Sequence, residues 1–578
     1  MDKSEDARPP GAPLSAYTFK PGSAADLQKY GGWFRDKDQR YCLFRGANLS
    51  SKSKLPPYLP LRSTMATART EAGTSSPPFD CRAMAAVTTL KQAGLNVIRL
   101  VVPWKAVTKT EPGAGLNDSY LQILKEVIDC LYSNGMFVLI DFHQDLAHEL
   151  YGGDGFPNWA MAVDDDHPTP DHPPDPSRMW QLGYALNGDI QNTLISFWND
   201  STTNTAAGIK DFRTRTTFLS TVEAIVEHFA NSGATRYPIL GYELFNEPDQ
   251  VGEWDKKYFE EQVLTPFYRC GYERLKARDP QAYLFIEPRV DWNVFPVGGL
   301  ELPIPVDLSN PNLFMTYVWQ SRISDLDRIV FSFHFYDPIT IFRDLWLDFL
   351  GLGGDDMQSK QRDWPDAFKR MIAAAGTRNM IPFMTEYGAE QYWDKHASNI
   401  PEYPNQSVAY LDLQLQQIEA TLLNAMQWVC EPYYGDNDGW NREKFSMLDS
   451  NADLRQEFRK VIPRPYPLRS SALPTLLRFD SRSSQAALAF TGALAPAPTV
   501  IYLPQLFHYP DGFEVRASCA NPATDLRWDT SNSLLYWNPA GDRAHYVVVS
   551  KPGEFNKAAL PASFPVVGDQ PPWIWCPR

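Results

Sequence analysis

The sequence predicts an α/β protein: a closed (β/α)8 barrel followed by a smaller antiparallel β-sandwich. Eight apolar, strand-like runs recur along the chain, at intervals that leave room for a helix between them. This rhythm is typical of repeated βα units whose parallel strands close into a TIM barrel. After about residue 460, short β-prone runs alternate with Gly, Pro, Asn and Asp turns and show no helical periodicity. That change of pattern indicates an antiparallel sandwich.

The predicted division is an N-terminal extension over residues 1–40, a barrel over 41–460 and a sandwich over 461–578. The extension is polar and Pro-rich at its start, and we expect a flexible entry to the barrel. The eight runs are CLFRGANL (42–49), VIRLVV (97–102), MFVLIDF (136–142), PILGYELFNE (238–247), AYLFIE (282–287), IVFSFHFY (329–336), IPFMTEYG (381–388) and AMQWVC (425–430). The Pro-rich segment 461–480 is interpreted as a linker or a first edge strand.

Helices are predicted between the runs from apolar residues spaced three and four apart. Before the third run, such a face is formed by Leu121, Leu124, Ile128 and Leu131. Asp118 or Ser119 can cap the start of this helix, and Gly135 follows its end. Three inserts, at 50–80, 148–210 and 337–365, follow strands. We therefore expect them at the carboxyl ends of the barrel strands, where they would shape access to a site.

Composition excludes several classes of function. The net charge is −15, from 54 basic and 69 acidic residues, and no run is rich in Lys or Arg. A chain of this kind suits neither nucleic-acid binding nor electrostatic docking to anionic lipid. The seven cysteines are scattered and form no C-x-x-C pair, which argues against a disulfide framework or a zinc site. Without an apolar leader or an 18-residue apolar stretch, an intracellular location, cytoplasmic or vacuolar, is expected.

Polar residues lie at the ends of most runs, where parallel barrel strands present their side chains to one mouth. The candidates are Arg99, His143, Asn246, Glu247, His334, Tyr336, Glu386 and Trp428. A single His or Arg at a strand end is usually a satisfied structural group. Two glutamates, Glu247 and Glu386, each ending an apolar run, are harder to explain in that way, because a buried carboxylate is costly unless it is paired.

Two carboxyl groups facing across one cleft are suited to cleaving a glycosidic bond. One must carry a proton for the leaving oxygen, and the other must be ionised to attack the anomeric carbon. The rival barrel chemistry, metal-assisted hydrolysis, would need His and Asp at ligand spacing, such as H-x-H on an early strand. The sequence has no such motif and no phosphate-binding or nucleotide-binding motif, so we expect neither a metal nor a cofactor.

Over about residues 40–460 the sequence resembles glycoside hydrolase family 5, a family of retaining eight-fold barrels. The family pattern is matched in order by Arg99 in NVIRL, His143 in LIDFHQD, Asn246-Glu247-Pro248, His334 and Tyr336 in HFY, Glu386 in FMTEYG, and Trp428. The resemblance implies that Glu247 is the general acid/base and Glu386 the nucleophile. It also implies the supporting roles: Asn246 binds the sugar 2-hydroxyl, Tyr336 and Arg99 hold Glu386, His143 and His334 line the sugar subsite, and Trp428 forms its floor.

Within the family, the sequence is similar to the endoglycoceramidase branch, and particularly to the fungal glucosylceramidases and steryl-glucosidases. The similarity rests on FRGANL (44–49), DFHQD (141–145), GDGFPNWA (153–160) and a sandwich introduced by RPYP (464–467). Those relatives remove a sugar from a lipid. The resemblance therefore implies a retaining β-glucosidase of a glycolipid, either glucosylceramide or a steryl β-glucoside, with glycolipid as its partner.

Two alternatives to this function stay open: an endo-acting polysaccharide hydrolase of the cellulase or mannanase kind, and a catalytically silent carbohydrate-binding barrel. The apolar insert at 339–352 is interpreted either as a lipid-facing lid that makes peripheral membrane contact or as an ordinary barrel helix. Glu243, Glu390 and Glu431 are further acids near the predicted site. Of these, Glu243 is expected to point away from the cleft.

Overall fold

The structure of the protein is a computed structural model that describes residue 14 and residues 19–60, 85–109, 112–162, 183–201, 213–231, 238–251, 253–290, 323, 325–336, 357–376, 379–389, 400, 402–432, 439–539 and 544–565. Two parts of the sequence prediction, the apolar insert at 339–352 and the acid Glu390, lie outside these residues.

Eight parallel strands form a closed barrel. Three short strands precede it: β1 (Gln28–Tyr30), β2 (Trp33–Arg35) and β3 (Tyr41–Cys42). The barrel strands are β4 (Arg45–Leu49), β5 (Val97–Val101), β6 (Phe137–Asp141), β7 (Ile239–Glu243), β8 (Tyr283–Ile286), β9 (Ile329–Phe335), β10 (Ile381–Tyr387) and β11 (Asn424–Gln427). Each strand pairs with the next, and β11 pairs with β4 to close the ring. The predicted barrel is confirmed, and every strand overlaps one of the eight apolar runs.

Helices surround the barrel. The described α-helices of this part are Ala85–Gln92, Trp104–Val107, Asp118–Ser133, Gly183–Leu186, Gly188–Asn199, Thr214–Asn231, Lys256–Tyr258, Thr265–Arg278, Met357–Gly376 and Gln406–Ala420. A π-helical stretch, Phe259–Leu264, joins two of them. Short 3-10 turns occur at Ala24–Asp26, Ser51–Lys54, Glu149–Tyr151, Asn158–Ala160, Trp440–Arg442 and Gln456–Phe458.

The helix predicted before the third run spans Asp118–Ser133, and its predicted apolar face is buried. Its N-cap is Asn117, whose side chain accepts a hydrogen bond from the Tyr120 N–H, so the prediction of Asp118 or Ser119 as cap is wrong. An Asn side chain is equally suited to this position, because its oxygen satisfies one of the unpaired amides of the first turn.

The chain ends in two antiparallel sheets. Their strands are β12 (Tyr466–Ser470), β13 (Leu473–Asp480), β14 (Gln485–Thr491), β15 (Thr499–Tyr502), β16 (Glu514–Ala517), β17 (Leu526–Asp529), β18 (Leu534–Trp537) and β19 (Ala544–Ser550). One sheet has the order β13-β14-β19-β16, and the other has the order β1-β2-β3-β12-β15-β18-β17. Short helices at Gln505–His508 and Pro522–Asp525 and a 3-10 turn at Lys557–Ala559 connect or follow these strands.

One expectation for this part of the chain is wrong, and a second holds for one strand only. The described part of the N-terminal extension is not a flexible entry, because β1 and β2 belong to the seven-stranded sheet. The segment 461–480, interpreted as a linker or a first edge strand, contains two strands. β12 begins within RPYP and lies between β3 and β15, whereas β13 is an edge strand of the four-stranded sheet. Cys42 in β3 pairs with Arg469 in β12, and this long-range pairing brings the N-terminal strands into the sandwich.

The N-terminal segment also closes the interior of the barrel at one end. Phe34 is fully buried and makes edge contacts with the rings of Phe44, Tyr283 and Phe383, which point into the barrel. The hydroxyl of Tyr283 donates a 3.2 Å hydrogen bond to the Leu27 carbonyl. This end is opposite the carboxyl ends of the strands, so the segment supports the barrel without entering the predicted site.

A buried ion cluster fastens the sandwich to the barrel. Arg464, which precedes β12, pairs with Glu419 and Asp412 of the helix Gln406–Ala420 at 2.5 Å each. Nearby, Tyr502 packs on Gly94, where an added Cβ would lie 2.3 Å from the tyrosine ring, so the close approach requires glycine. The two parts of the chain therefore share a desolvated interface.

The cysteines and the helices carry two further findings. Cys130 is disulfide-bonded, which the scattered cysteine pattern does not predict, and Cys42, Cys270, Cys430 and Cys519 are free. Within the described residues, no helix combines the length and the apolar character needed to cross a bilayer.

Candidate active site

The eight predicted site residues lie together at the carboxyl ends of the barrel strands, and all of them are buried. Arg99, His334 and Glu386 belong to strands β5, β9 and β10, whereas Asn246 and Glu247 follow the end of β7. Tyr336, His143 and Trp428 come one or two residues after β9, β6 and β11. The two glutamates retain some exposure, 6% for Glu386 and 8% for Glu247, whereas Arg99 and His334 have none.

Glu386 is held from two sides. Its Oε1 accepts a hydrogen bond from Arg99 Nη1 at 2.5 Å, and its Oε2 accepts one from the Tyr336 hydroxyl at 2.9 Å. A guanidinium and a hydroxyl that both donate to a carboxylate favour its ionised form. Glu386 is thus oriented as an anion with its two oxygens fixed.

The direction of the Glu386 side chain depends on an irregularity in β10. The register between β9 and β10 shifts between Met384 and Glu386. In a regular strand, Thr385 and Glu386 would point to opposite faces. Here Thr385 reaches Glu243 in the barrel interior at 3.3 Å, while Glu386 also faces the interior toward Arg99. A bulge next to a site re-aims side chains in this way.

Glu247 is in the opposite electrostatic situation. Burial, and next the nearby Asp145, raise the pKa of its carboxyl to about 8, against the lowering effect of His143 and Lys54. Its Oε1 lies 2.8 Å from Nδ1 of His334. Burial lowers the pKa of His334 to about 4, so this imidazole is neutral near pH 7. Glu247 is therefore a carboxyl that retains its proton at neutral pH.

The two carboxyl groups are close to each other. One oxygen of Glu247, one of Glu386 and a ring nitrogen of His334 all lie within 4.8 Å of one another. Retaining glycosidases have carboxyl groups about 5–5.5 Å apart, and inverting ones about 6.5–9.5 Å apart, to leave room for a water molecule. An approach within 4.8 Å between one oxygen of each glutamate is compatible with the shorter separation.

Arg99 organises the layer beneath the glutamates. Besides Glu386, its guanidinium contacts Glu243 at 2.5 Å, Asp141 at 3.0 Å and the Asn246 side-chain oxygen at 2.8 Å. Burial alone would lower the pKa of Arg99, but Asp141 and the other carboxylates raise it well above its usual value. The expectation that Glu243 points away from the cleft is wrong, because its side chain enters the barrel and pairs with Arg99.

Asn246 is fixed by two hydrogen bonds. Its oxygen accepts from Arg99, and its amide nitrogen donates to the Gln144 carbonyl at 3.1 Å. An amide nitrogen carries two hydrogens, so this contact leaves one N–H to act as a donor.

His143 lies within a second charged cluster, which shares Asp141 with the layer around Arg99. Its Nδ1 is 2.5 Å from Asp141 and its Nε2 is 3.2 Å from Asp145. Burial, the largest single influence, lowers the pKa of His143, but Asp141 and Asp154 together raise it to about 10, so the ring is an imidazolium. It stacks on Trp428 with the rings nearly parallel and 5.9 Å apart. Trp428 is thereby linked to the wall of the site, and its Nε1 donates to Glu443 at 3.3 Å.

Lys54 occupies the centre of this cluster. Its Nζ is 2.5 Å from Asp145 Oδ2 and lies over the rings of Trp428 and Trp440, at 4.6 and 3.6 Å. Burial lowers the pKa of Lys54, but the carboxylate of Asp145 raises it above its usual value. His143, Asp145 and Asp154 could in geometry hold a metal ion. The ammonium of Lys54 already supplies a cation to the carboxylate of Asp145.

Sequence reasoning missed several residues of the site. Lys54 is the last residue of the 3-10 turn Ser51–Lys54, Asp154 lies in a loop, and Glu287 follows β8 directly; each is buried. A signal existed for Glu287, because the fifth run ends on this acid as the fourth and seventh runs end on theirs. Asp154 is evident only from the structure, where a Cβ on Gly153 would lie 1.9 Å from the Asp145 carbonyl, and that glycine lets Asp154 pack beside Asp145.

Glu431, the other predicted nearby acid, is buried away from the two glutamates. Its carboxylate accepts hydrogen bonds from Ser51 at 2.8 and 2.9 Å and from the Lys52 N–H at 3.3 Å. These contacts tie the loop after β4 to the loop after β11, which is a structural role.

Comparison with known families agrees with this geometry. Residues 64–431 match the model of the cellulase family, glycosyl hydrolase family 5. The chain belongs to glycosyl hydrolase family 5. Residues 464–549 match the C-terminal domain that is described for the same family. The protein is accordingly a glycoside hydrolase, and the family resemblance predicted from the sequence is confirmed.

Three relatives cover most of the chain. Endoglycoceramidase I of Rhodococcus hoagii is 24% identical over 511 residues, which are 85% of this chain and 82% of that protein. The solved endo-glycoceramidase II from Rhodococcus sp., as a lactosyl-enzyme intermediate, has a TM-score of 0.61 at 19% identity and covers 90% of this chain and 99% of its own. Sterylglucosidase 1 of Cryptococcus neoformans has a TM-score of 0.66 at 16% identity, with 94% and 99% covered. At these identities the two structures show a shared fold.

Proposed function

We propose that the protein is a retaining β-glucosidase of glycolipids, acting on glucosylceramide or a steryl β-glucoside. Glu386 is the nucleophile and Glu247 is the general acid/base. The observation that carries the proposal is the contrast between these two neighbouring carboxyl groups. Glu386 is bound by Arg99 and Tyr336 as an anion, whereas burial keeps a proton on Glu247. Glycosidase chemistry needs this separation of proton states.

In the first step, a carboxylate oxygen of Glu386 attacks the anomeric carbon while the bond to the aglycone oxygen breaks. Glu247 gives its proton to that oxygen, so the lipid alcohol leaves neutral and the sugar stays bound to Glu386 as an ester. Arg99 and Tyr336 hold the nucleophile in line with the anomeric carbon. Positioning of this kind lowers the activation free energy, because the reacting groups need not reorganise first. The 2.8 Å contact between His334 and Glu247 orients the acid toward the leaving oxygen.

In the second step, Glu247 is ionised and takes a proton from a water molecule that attacks the same anomeric carbon. The ester to Glu386 breaks, glucose leaves with its original anomeric configuration, and both carboxyl groups return to their starting states. Asn246 holds the sugar 2-hydroxyl through its second amide hydrogen, an interaction that strengthens as positive charge develops at the anomeric carbon.

The sugar is bound by the charged cluster around Lys54. Its members, His143, Asp145 and Asp154, offer donors and acceptors, and the indole of Trp428 offers a flat apolar face. Hydroxyl groups need both kinds of partner, and an aromatic face packs on the C–H groups of a sugar. The names of the relatives, endoglycoceramidase and sterylglucosidase, support a sugar attached to a lipid.

Labelling of the nucleophile tests the mechanism. A 2-deoxy-2-fluoro-β-glucoside with a good leaving group should inactivate the enzyme and leave the sugar esterified to Glu386, located by peptide mass spectrometry. E386Q should neither turn over nor be labelled. An ester on another residue, or an NMR time course in which the α-anomer appears first, would contradict the proposal.

A substrate panel tests the specificity. Turnover of glucosylceramide, a steryl β-glucoside, an oligosaccharyl ceramide and a cello-oligosaccharide should be compared at equal detergent concentration. We expect turnover of the two glucolipids. Preference for the oligosaccharyl ceramide would identify an endo-acting relative of endoglycoceramidase, and preference for the cello-oligosaccharide would identify a polysaccharide hydrolase. Sugar binding without any turnover would identify the protein as a catalytically silent carbohydrate-binding barrel.

A further inference from the structure

Glu287 is, with Glu243, one of two further glutamates beneath the pair that the proposed mechanism uses. It follows β8, the fifth strand of the barrel, and none of its surface is exposed. A buried carboxyl group is costly unless its oxygens are hydrogen-bonded, so its contacts indicate what it does.

The first contact is with the backbone of Glu247. Oε2 of Glu287 accepts the Glu247 N–H at 3.1 Å. Glu247 has a φ of +44°, a left-handed conformation that a non-glycine residue adopts at a cost. An acceptor fixed opposite its N–H offsets that cost and sets the direction in which the side chain of Glu247 leaves the backbone.

The second contact is with the histidine that touches the carboxyl of Glu247. Oε1 of Glu287 lies 3.5 Å from Nε2 of His334, whose Nδ1 is 2.8 Å from Glu247 Oε1. Glu287 therefore lies against the acid at two points, directly at the backbone and through His334 at the carboxyl end.

Glu287 is itself rigidly mounted. The hydroxyl of Tyr268, from the helix Thr265–Arg278, donates to the Glu287 carbonyl at 2.8 Å and accepts its N–H at 3.1 Å. Both backbone polar groups of Glu287 are thus bound to one buried phenol, and the residue can serve as a fixed support.

The surroundings of Glu287 indicate its proton state. Arg99 approaches it at 3.4 Å but is already shared by Glu386, Glu243 and Asp141. Burial, and next the neighbouring Glu243, raise the pKa of Glu287 well above its usual value. One guanidinium does not compensate four buried carboxylates, so the neutral form of Glu287 is favoured.

We propose that Glu287, in its neutral protonated form, is a positioning residue that fixes the backbone and the carboxyl of the general acid/base Glu247. The inference rests on the proposed function, because it presupposes that Glu247 donates the proton. Its consequence is specific: loss of Glu287 should impair proton donation to the aglycone more than attack by Glu386.

The test measures how kcat/KM depends on the leaving group, with a series of aryl β-glucosides of decreasing acidity and one lipid glucoside. Aglycones that leave easily need no proton, so only poor leaving groups report on the acid. For E287A we expect about a 100-fold loss on the poor leaving groups, as for a misplaced catalytic group, and little loss on dinitrophenyl glucoside. E287D withdraws the carboxyl by one methylene and should behave in the same way. E287Q keeps an uncharged oxygen that can accept the Glu247 N–H. In this variant kcat/KM should depend on the leaving group as it does in the unmodified enzyme.

The matched control is E260A. Glu260 is equally buried, but it pairs with Arg289 at 3.0 Å. E260A should lower the thermal stability and leave the dependence on the leaving group unchanged. If E287A and E287D lower stability in the same way without steepening that dependence, Glu287 is structural only and the proposal is wrong. If E287Q is as impaired as E287A, the neutral form is wrong and the proposal falls as stated.

E247Q separates this proposal from the function on which it rests. If kcat/KM depends steeply on the leaving group in E247Q but normally in E287A and E287D, only the role of Glu287 is contradicted. If kcat/KM depends normally on the leaving group in E247Q, the assignment of Glu247 as the acid is contradicted, and so is the role of Glu287.

Discussion

The hydroxyl of Tyr336 donates a 2.9 Å hydrogen bond to Oε2 of Glu386, on the side of the carboxylate opposite Arg99. Burial raises the pKa of Tyr336 well above its usual value, so its hydroxyl keeps its proton and remains a donor. The phenol of Tyr336 therefore holds the Glu386 carboxylate through a neutral hydrogen bond, whereas Arg99 supplies the positive charge beside it.

Removing this hydroxyl should slow the covalent step. Hydrogen bonds to charged groups contribute about 1.5–3 kcal/mol, so Y336F should reduce the rate of labelling by the fluorinated glucoside about 10- to 100-fold. The measurement is the inactivation rate constant at saturating reagent. An unchanged rate constant would mean that Arg99 alone orients the nucleophile.

The proton on Glu247 sets the alkaline side of the pH profile. Burial raises its pKa to about 8, and the acid acts only when it is protonated, so kcat/KM for a lipid glucoside should fall as the pH rises through about 8. For an activated aryl glucoside this fall should be absent or much weaker, because its aglycone needs no proton. If kcat/KM for the lipid glucoside instead fell as the pH rises through about 5, the raised pKa of Glu247 would be contradicted.

The ion cluster between barrel and sandwich should be needed for stability and not for catalysis. R464A leaves Glu419 and Asp412 buried without their cation, which we expect to lower the free energy of unfolding by about 3–5 kcal/mol. The kcat of the folded protein should be unchanged. R269A, which breaks the exposed pair with Asp325, is the control and should change denaturant unfolding little. Equal effects of the two variants would mean that the interface is solvated.

The N-terminal strands should contribute to the core of the barrel. Because Phe34 is buried among the rings at the closed end, F34A should lower the free energy of unfolding by about 3–5 kcal/mol. Y258A, at a half-exposed helical position, should have little effect in the same urea titration. A small effect of F34A would show that residues before β3 detach from the folded protein.

The sequence predicts the barrel well because strands buried on both faces are nearly continuous apolar runs, as in β6, β9 and β10. It predicts the two glutamates because a carboxyl at the end of such a run has few structural explanations. It predicts β1 and β2 poorly, since each has only three residues. They also join the sandwich only through β3, whose partner β12 lies far along the chain.

The error about Glu243 has a specific physical cause. The register between β6 and β7 pairs Val138 with Ile239 and Leu139 with Gly241, so Leu240 is an extra residue. Alternation counted from Ile239 places Glu243 outside the barrel, and the extra residue turns it inward toward Arg99. Periodicity in the sequence does not reveal such a bulge, and for this reason the layer around Arg99 is evident only in the structure.

The sharing of one sheet by both ends of the chain affects its synthesis on the ribosome. The Phe19 N–H donates to the hydroxyl of Tyr536, 517 positions later, and β3 pairs with β12. Because translation delivers the N-terminal residues first, β3 emerges long before β12, and its edge stays unpaired until then. Contacts of such long range also slow folding. The nascent protein should therefore depend on chaperones until its last strands have left the exit tunnel.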